Sequence, residues 1–251
     1  MEQDFLKYGD QICLYSDTAA GYLTTIGFNS PNLQIQQCSK LHSSHIPNIR
    51  NMVFEVVPKL GYNPMREYKR EKKAQKNRQM SDQGKKQKDP QKAAEESALY
   101  IEKFKMLKKR IAMQKVNNDS WIELQHGKMV NYGQQIQLRH VDSGMYLQNA
   151  KKTSDMDRQC QSIELTDNPS AQRVTFYIQQ RYKYRMDGEA VVFNDHILLY
   201  NSKYNCYLHI SEDYKMDQVV IENKPSKYRP KSPLRRPDPL ELYKKLEVNC
   251  S

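Results

Sequence analysis

No apolar stretch in this 251-residue chain approaches the roughly 18–20 residues that cross a bilayer; the longest are runs such as Ala190-Val191-Val192-Phe193 and Ile197-Leu198-Leu199-Tyr200. No transmembrane segment is therefore expected. The opening, Met1-Glu2-Gln3-Asp4-Phe5-Leu6-Lys7, is acidic before it is apolar and lacks the hydrophobic region of a secretory leader. Cys-x-x-Cys pairs are missing as well. The five cysteines (Cys13, Cys38, Cys160, Cys206, Cys250) are odd in number and far apart, which favours free thiols in a reducing compartment over a disulfide framework or a zinc site. There is no His-Glu-x-x-His, Gly-rich phosphate loop, Gly-x-Ser-x-Gly or kinase signature, so an enzyme is not expected. His42 and His45 beside Cys38 sit in a polar, Ser-rich loop and read as solvated. His140 and His209 neighbour apolar strands and read as satisfied strand histidines. No catalytic, cofactor-binding or metal-binding residue is assigned, and no cofactor is expected.

What is present is positive charge, unevenly spread. Forty Lys and Arg against 29 Asp and Glu give a net +11. Residues 64–118 hold 17 basic and 7 acidic side chains, a balance of +10, and residues 223–245 hold 8 and 2, a balance of +6. The remainder is therefore −5. Hydrophobic residues make up only 38% of the chain, and the two basic segments account for the shortfall from an ordinary core.

The first basic segment reads as two helices. Asn63-Pro64 combines a capping side chain with a proline suited to a first helical turn, and good helix formers follow from Met65 to Met80. Ser81-Asp82-Gln83-Gly84 breaks the run, Asp89-Pro90 restarts it, and Tyr100, Ile101, Phe104, Leu107 and Ile111 form an apolar stripe at helical spacing. The joints to the rest of the chain fall at Gly61-Tyr62-Asn63 and at Val116 to Ser120. A +10 arm can attract nucleic acid or anionic lipid. Only Tyr68 and Tyr100 could interleave as stacking aromatics, so nucleic acid is the weaker reading and a surface or subunit contact the stronger.

Outside the arm the chain repeats itself. Tyr8, Tyr132 and Phe193 are each followed by Ile 4 residues on, Leu at 6, Tyr at 14 and Leu at 15. The Ile/Leu alternation is that of a half-buried strand, and the polar stretch before each Tyr-Leu is a hairpin turn. Later strands Val53–Val57 and Val174–Ile178 follow in the first two units. Three units of about four strands predict a closed, mainly β body, a β-trefoil.

Tyr182-Lys183-x-Arg185-x-x-Gly188-Glu189-x-Val191-Val192, Asp195 and Tyr207-Leu208-His209-Ile210-Ser211 resemble the N-terminal domain of inositol trisphosphate receptors and ryanodine receptors. Gly9-Asp10-x-Ile12-Cys13-Leu14-Tyr15 with Gly21-Tyr22-Leu23-Thr24-Thr25-Ile26-Gly27, and Tyr132-Gly133-x-x-Ile136-Gln137-Leu138-x-His140 with Tyr146-Leu147, are similar to the same domain. The resemblance implies a suppressor domain: an MIR-like β-trefoil with an inserted helix-turn-helix arm, on the cytosolic face of a tetrameric calcium-release channel of the endoplasmic reticulum or another calcium store. Its implied partners are the downstream ligand-binding domain and neighbouring subunits. It also implies that the ligand's phosphate-binding residues lie in later modules, so none is carried over.

The expected layout is a trefoil over residues 1–222, with units near 5–62, 120–182 and 183–222 and the arm at 63–119. A basic, Pro-rich tail follows at 223–251. The third unit is expected to lack its last strand, since Arg235-Arg236-Pro237-Asp238-Pro239 stands where that strand is due and Leu240 to Leu246 reads as a short helix. Glu247 to Ser251 resembles the segment just before that strand. The loop over 149–161 matches one that reaches the neighbouring subunit in the family. The expected function is non-catalytic regulation of a ligand-gated calcium channel. The alternative is a free-standing trefoil that holds an anionic ligand, such as a phosphoinositide head group, on its arm.

Overall fold

A computed structural model of the chain describes residues 4–27, 30–37, 48–82, 90–155, 158–169, 171–211 and 247–250. The first unit holds β1 (Gln11–Cys13), β2 (Tyr15–Ser16), β3 (Gly21–Thr25), β4 (Leu33–Gln37) and β5 (Val53–Pro58). Helices α1 (Asn63–Asp82) and α2 (Pro90–Gln125) follow. The second unit is β6 (Gln135–His140), β7 (Tyr146–Thr153), β8 (Gln161–Thr166), α3 (Ala171–Val174) and β9 (Phe176–Gln180). The third is β10 (Ile197–Asn201), β11 (Cys206–Ser211) and β12 (Glu247–Cys250). The fold is mainly β.

The pairings repeat with the sequence. Each hairpin sets position 7 of its unit against position 14: Tyr15 faces Tyr22, Arg139 faces Tyr146 and Tyr200 faces Tyr207. The Ile at position 4 then meets a phenylalanine of the last strand of the same unit, Ile12 against Phe54 and Ile136 against Phe176. Neighbouring units join through β5–β6 and β9–β10. Strands β1, β5, β6, β9 and β10 thus run side by side, all antiparallel, with Phe54, Val56, Ile136, Leu138, Phe176 and Ile178 turned into a core from which water is excluded.

Three segments that precede these strands close on one another through the backbone. Leu6 N–H donates to Val191 O (2.8 Å), Val191 N–H to Val130 O (2.9 Å) and Val130 N–H to Leu6 O (2.8 Å). Each of these residues lies 2 before its unit's aromatic, and each is buried. A tight turn follows in every unit, locked by the side chain at position 2: Asp10 accepts from Lys7 N–H (2.7 Å), Gln134 from Asn131 N–H (3.1 Å) and Asp195 from Val192 N–H (3.3 Å). The turn needs a left-handed residue at position 1, supplied by Gly9 (φ 93°), Gly133 (φ 84°) and Asn194 (φ 67°).

The hairpin turns repeat as closely. The side chain at position 8 accepts from the backbone N–H three residues on, Ser16 from Ala19, His140 from Ser143 and Asn201 from Tyr204, each at 3.3 Å. Position 12 is left-handed each time: Ala20 (φ 47°), Gly144 (φ 67°) and Asn205 (φ 54°). Alanine is strained there and Ala20 is exposed, so its methyl group gains little in return. Ala20→Gly is expected to raise stability by about 0.5–1 kcal/mol and Gly144→Ala to lower it by about 1–2 kcal/mol. Urea midpoints read both. Equal midpoints for the two variants would refute the strain.

The structure moves several expected boundaries. Helix α1 begins at Asn63 itself and continues through Ser81 and Asp82. Helix α2 runs past Val116–Ser120, because Asn118 is tied to Gly61 and the chain leaves the helix only at left-handed Gly127 (φ 75°). Val174 ends α3, so the strand expected from Val174 starts at Phe176. Residues 247–250 form β12 between β11 and β8, the third-strand place in their unit. No fourth strand of that unit occurs among the described residues. The proline-rich stretch and the helix-like Leu240 to Leu246 lie outside them. Cys13 is an exposed free thiol, but Cys206 is disulfide-bonded, against the expectation of free thiols. Distance along a repeated chain is a poor guide to distance across it.

Candidate interaction surface

The arm leaves the β body at a clasp. Asn118 on α2 accepts from Gly61 N–H (3.1 Å) and donates to Gly61 O (2.9 Å), while Gln114 donates to Asn118 (3.1 Å). Entry and exit of the 63–119 insertion are thereby held together. Beside the clasp, Tyr62 donates to Gln137 Oε1 (2.9 Å), and Gln137 donates to Thr175 (3.1 Å). Burial, reinforced by Tyr146, raises the Tyr62 pKa far above that of a free phenol. Across β5 and β6, Arg139 grips Glu55 through both Nε (3.1 Å) and Nη2 (2.5 Å). Burial opposes the Arg139 charge, but the bond to Glu55 outweighs it and lifts the pKa.

Outward from the clasp the two helices hold each other with side chains that pattern reading had left open. Tyr68 meets Phe104 edge-on (5.4 Å between ring centres), and Tyr100 stacks on Phe104 (6.3 Å) beneath the Arg78 guanidinium, which also bonds the Tyr100 hydroxyl. Both tyrosines considered as nucleic-acid platforms therefore pack inside the hairpin. Lys103–Glu71 (3.0 Å) and Arg110–Glu67 (2.9 Å) bridge α2 to α1; exposed as they are, they contribute little stability. Leu99, Met106 and Met113, spaced by 7, stay exposed along one face of α2.

At the arm's foot the charge continues onto the β body. Lys69 on α1 has its pKa lowered by burial and then by Arg173 and Lys151, with Asp167 opposing. The loop expected over 149–161 begins later, because residues 149–153 belong to β7, which carries Lys151 and Lys152, and Gln161 already opens β8. Lys152 pairs with Asp155 (2.8 Å), Ser154 is buried, and Ser162 on β8 donates to Lys152 O (3.2 Å). Residues 156–157 fall outside the described set.

The 181–196 loop carries a second cluster. Tyr182 and Tyr184 stack (6.1 Å, 19°), Tyr182 meets His196 edge-on, and Arg185 lies against both the Tyr184 ring and Asp195 (3.4 Å). Asp195 also accepts from Tyr132 OH (2.8 Å); burial and that bond raise the Tyr132 pKa. The conspicuous sequence block Tyr182 to Asp195 is thus a loop pinned across units.

A family model described as inositol 1,4,5-trisphosphate/ryanodine receptor matches residues 1–229. The chain belongs to the inositol trisphosphate/ryanodine receptor family. That is a family of receptors associated with calcium channels, not of enzymes, and the three sequence blocks quoted above lie within the match. Among the described residues no group of three or more His, Cys, Asp or Glu could hold a metal ion, and no helix is long and apolar enough to cross a membrane. His42, His45 and Cys38 lie outside the described residues. His209 stands beside Cys160 (3.8 Å) and Ser211 (3.1 Å).

His140 of this receptor-family chain is a turn lock, not a ligand. It lies buried with its ring edge-on to Phe54 (5.4 Å), and because its Nδ1 accepts from Ser143 N–H, the proton sits on Nε2. Burial lowers its pKa, opposed by the Asn51 and Arg50 backbone and by Asp142. A histidine kept neutral in the fold binds fewer protons than its unfolded counterpart below about pH 6.5. Stability is therefore expected to fall as pH drops below about 6.5, and the fall to shrink in His140→Gln. Parallel pH profiles in both chains would remove His140 from the account.

Proposed function

We propose that this chain is the non-catalytic, regulatory N-terminal domain of an intracellular ligand-gated calcium-release channel. It acts from the cytosolic face of a calcium-store membrane, tuning how tightly the adjoining module holds inositol trisphosphate and how the channel gates. The family match over 1–229 carries this reading. The threefold repetition of turns, hairpins and backbone triangle supports a β-trefoil with the arm inserted after its first unit. Contacts that differ between channel states are what such a domain needs in order to bias an equilibrium. The 149–161 loop and the arm's foot, sharing Lys151, Lys69 and Arg173, form the surface proposed for the neighbouring subunit.

Joining the chain to a ligand-binding module from the family is expected to change that module's inositol trisphosphate affinity at least threefold, by calorimetry. Lys151→Glu with Lys152→Glu is expected to remove half of the change or more. Identical affinity with and without the chain would end the proposal. The exposed Leu99, Met106 and Met113 on a basic arm favour a second reading, capture of anionic lipid. Sedimentation with phosphoinositide vesicles, with and without residues 63–119, decides that reading separately.

A further inference from the structure

The outer faces of the second and third units share one frame and are finished differently. Arg139 and Tyr146 stand at positions 7 and 14 of the second unit with Glu55 opposite Arg139; Tyr200, Tyr207 and Tyr177 hold the same places in the third. Two residues along each strand pair, Gln137 lies opposite Val57 and Leu198 opposite Gln179, so both faces set one amide beside one aliphatic side chain. The second unit's face is covered by the segment that enters the arm. Tyr62 donates to Gln137 (2.9 Å) and stands against Tyr146, and Leu60 and Pro64 on either side of it are buried. Gln137 and Val57, which point away from the core, are therefore only 0% and 1% exposed. On the third unit's face Tyr177, Gln179, Leu198 and Tyr200 are half-buried and Tyr207 is 40% exposed.

We propose that the face formed by Tyr177, Gln179, Leu198, Tyr200 and Tyr207 is a docking site for an extended segment of a partner polypeptide carrying tyrosine and, two residues on, proline. The covered face supplies the template, because Tyr62-Asn63-Pro64 is what this chain lays on the same frame. The three tyrosines form a ladder across β9, β10 and β11, with 6.2 Å between the ring centres of Tyr177 and Tyr200 and 5.1 Å between those of Tyr200 and Tyr207. Rows of aromatic rings accept proline-bearing segments, and such rings bury a large apolar area while keeping a polar tip. Tyr207 OH donates to Gln179 Oε1 (3.2 Å), which leaves the Gln179 amide nitrogen to donate to the incoming tyrosine hydroxyl. Uncharged rings replace the Glu55–Arg139 ion pair here, so ring shape selects the occupant more than charge does. The proposal stands on described side chains and is independent of any channel role.

The test is a titration of the intact chain, its tyrosine rings isotope-labelled, with a synthetic peptide copying Lys59 to Arg66 (Lys-Leu-Gly-Tyr-Asn-Pro-Met-Arg) and followed by NMR. The ring signals of Tyr177, Tyr200 and Tyr207 are expected to shift and saturate while those of Tyr146 stay in place. A peptide with Ala in place of its Tyr and Pro is expected to bind at least tenfold more weakly, and the first peptide at least fivefold more weakly to a Tyr207→Ala chain. No shift at millimolar peptide overturns the proposal, as does equal binding of the two peptides. Shifts centred on Tyr146 overturn it too, since the peptide would then be displacing the arm's own segment. So do ladder rings that a soluble paramagnetic probe cannot reach in the free chain, or shifts without peptide that grow with protein concentration and mark a second copy as the occupant.

Discussion

Asn201→Asp is expected to destabilise the fold by about 3–5 kcal/mol at neutral pH, the scale for leaving a charge unpaired in a protein interior. Asn201 is completely buried. Its amide nitrogen donates to three carbonyls, those of Gln172 (3.3 Å), Arg173 (3.3 Å) and Thr175 (3.2 Å), and its oxygen accepts from Lys203 and Tyr204 N–H. One side chain therefore locks its own hairpin turn and ties the third unit to the end of α3 in the second. A carboxylate retains the acceptor half, but its other oxygen faces three carbonyl oxygens. Protonation restores one donor, so the folded pKa of the new Asp rises above the ordinary value of about 3.9. The folded state then holds more protons than the unfolded one, and stability falls as pH rises above about 4. Urea unfolding at pH 4 and pH 7 should show the larger deficit at pH 7. A deficit that is the same at both, or below about 1 kcal/mol, would mean the three carbonyls find other donors.

Phe176→Ala is expected to cost about 3–5 kcal/mol, the usual range for deleting a fully buried aromatic ring. The ring faces Ile136 and lies in the core with Leu138 and Ile178, in a region flanked by strands on every side. Phe54 is equally buried and sits at the same place in the first unit, but its partner Ile12 is only partly buried, whereas Ile136 is fully buried. A cavity there can collapse more readily, and the cost depends on how far the site collapses. Phe54→Ala should therefore be milder than Phe176→Ala, by about 1 kcal/mol. Chemical denaturation of both variants measures the difference. The reverse order would mean that the surroundings of Ile12 are as tightly packed as those of Ile136.

The matched Ile, Leu, Tyr and Leu offsets were legible because burial on one face of a strand selects similar side chains in each unit, and they located every hairpin. The turn locks repeat just as faithfully in space but were not legible. Ser16, His140 and Asn201 each accept the same backbone bond, and a hydroxyl, an imidazole and an amide share no letter. The left-handed residue at position 12 hides for a related reason, since Ala20 occupies a conformation that glycine would announce. The arm's two helices were readable from their proline starts. The length of α2 was not, because Asn117, Asn118, Asp119 and Ser120 read as a break until the clasp to Gly61 shows what Asn118 does. At the candidate surface, Lys69, Lys151 and Arg173 come from α1, β7 and α3, and only the fold makes them neighbours.

The clasp has a mechanical consequence. From Asn118 back to Pro90, α2 extends about 42 Å at 1.5 Å per residue, braced along much of that length by α1. A rod of that reach pivoting on a few hydrogen bonds is a lever, and a 5° tilt at Gly61–Asn118 would swing its tip by about 4 Å. A displacement too small to disturb the β body is thereby turned into one large enough to make or break a contact at the far end.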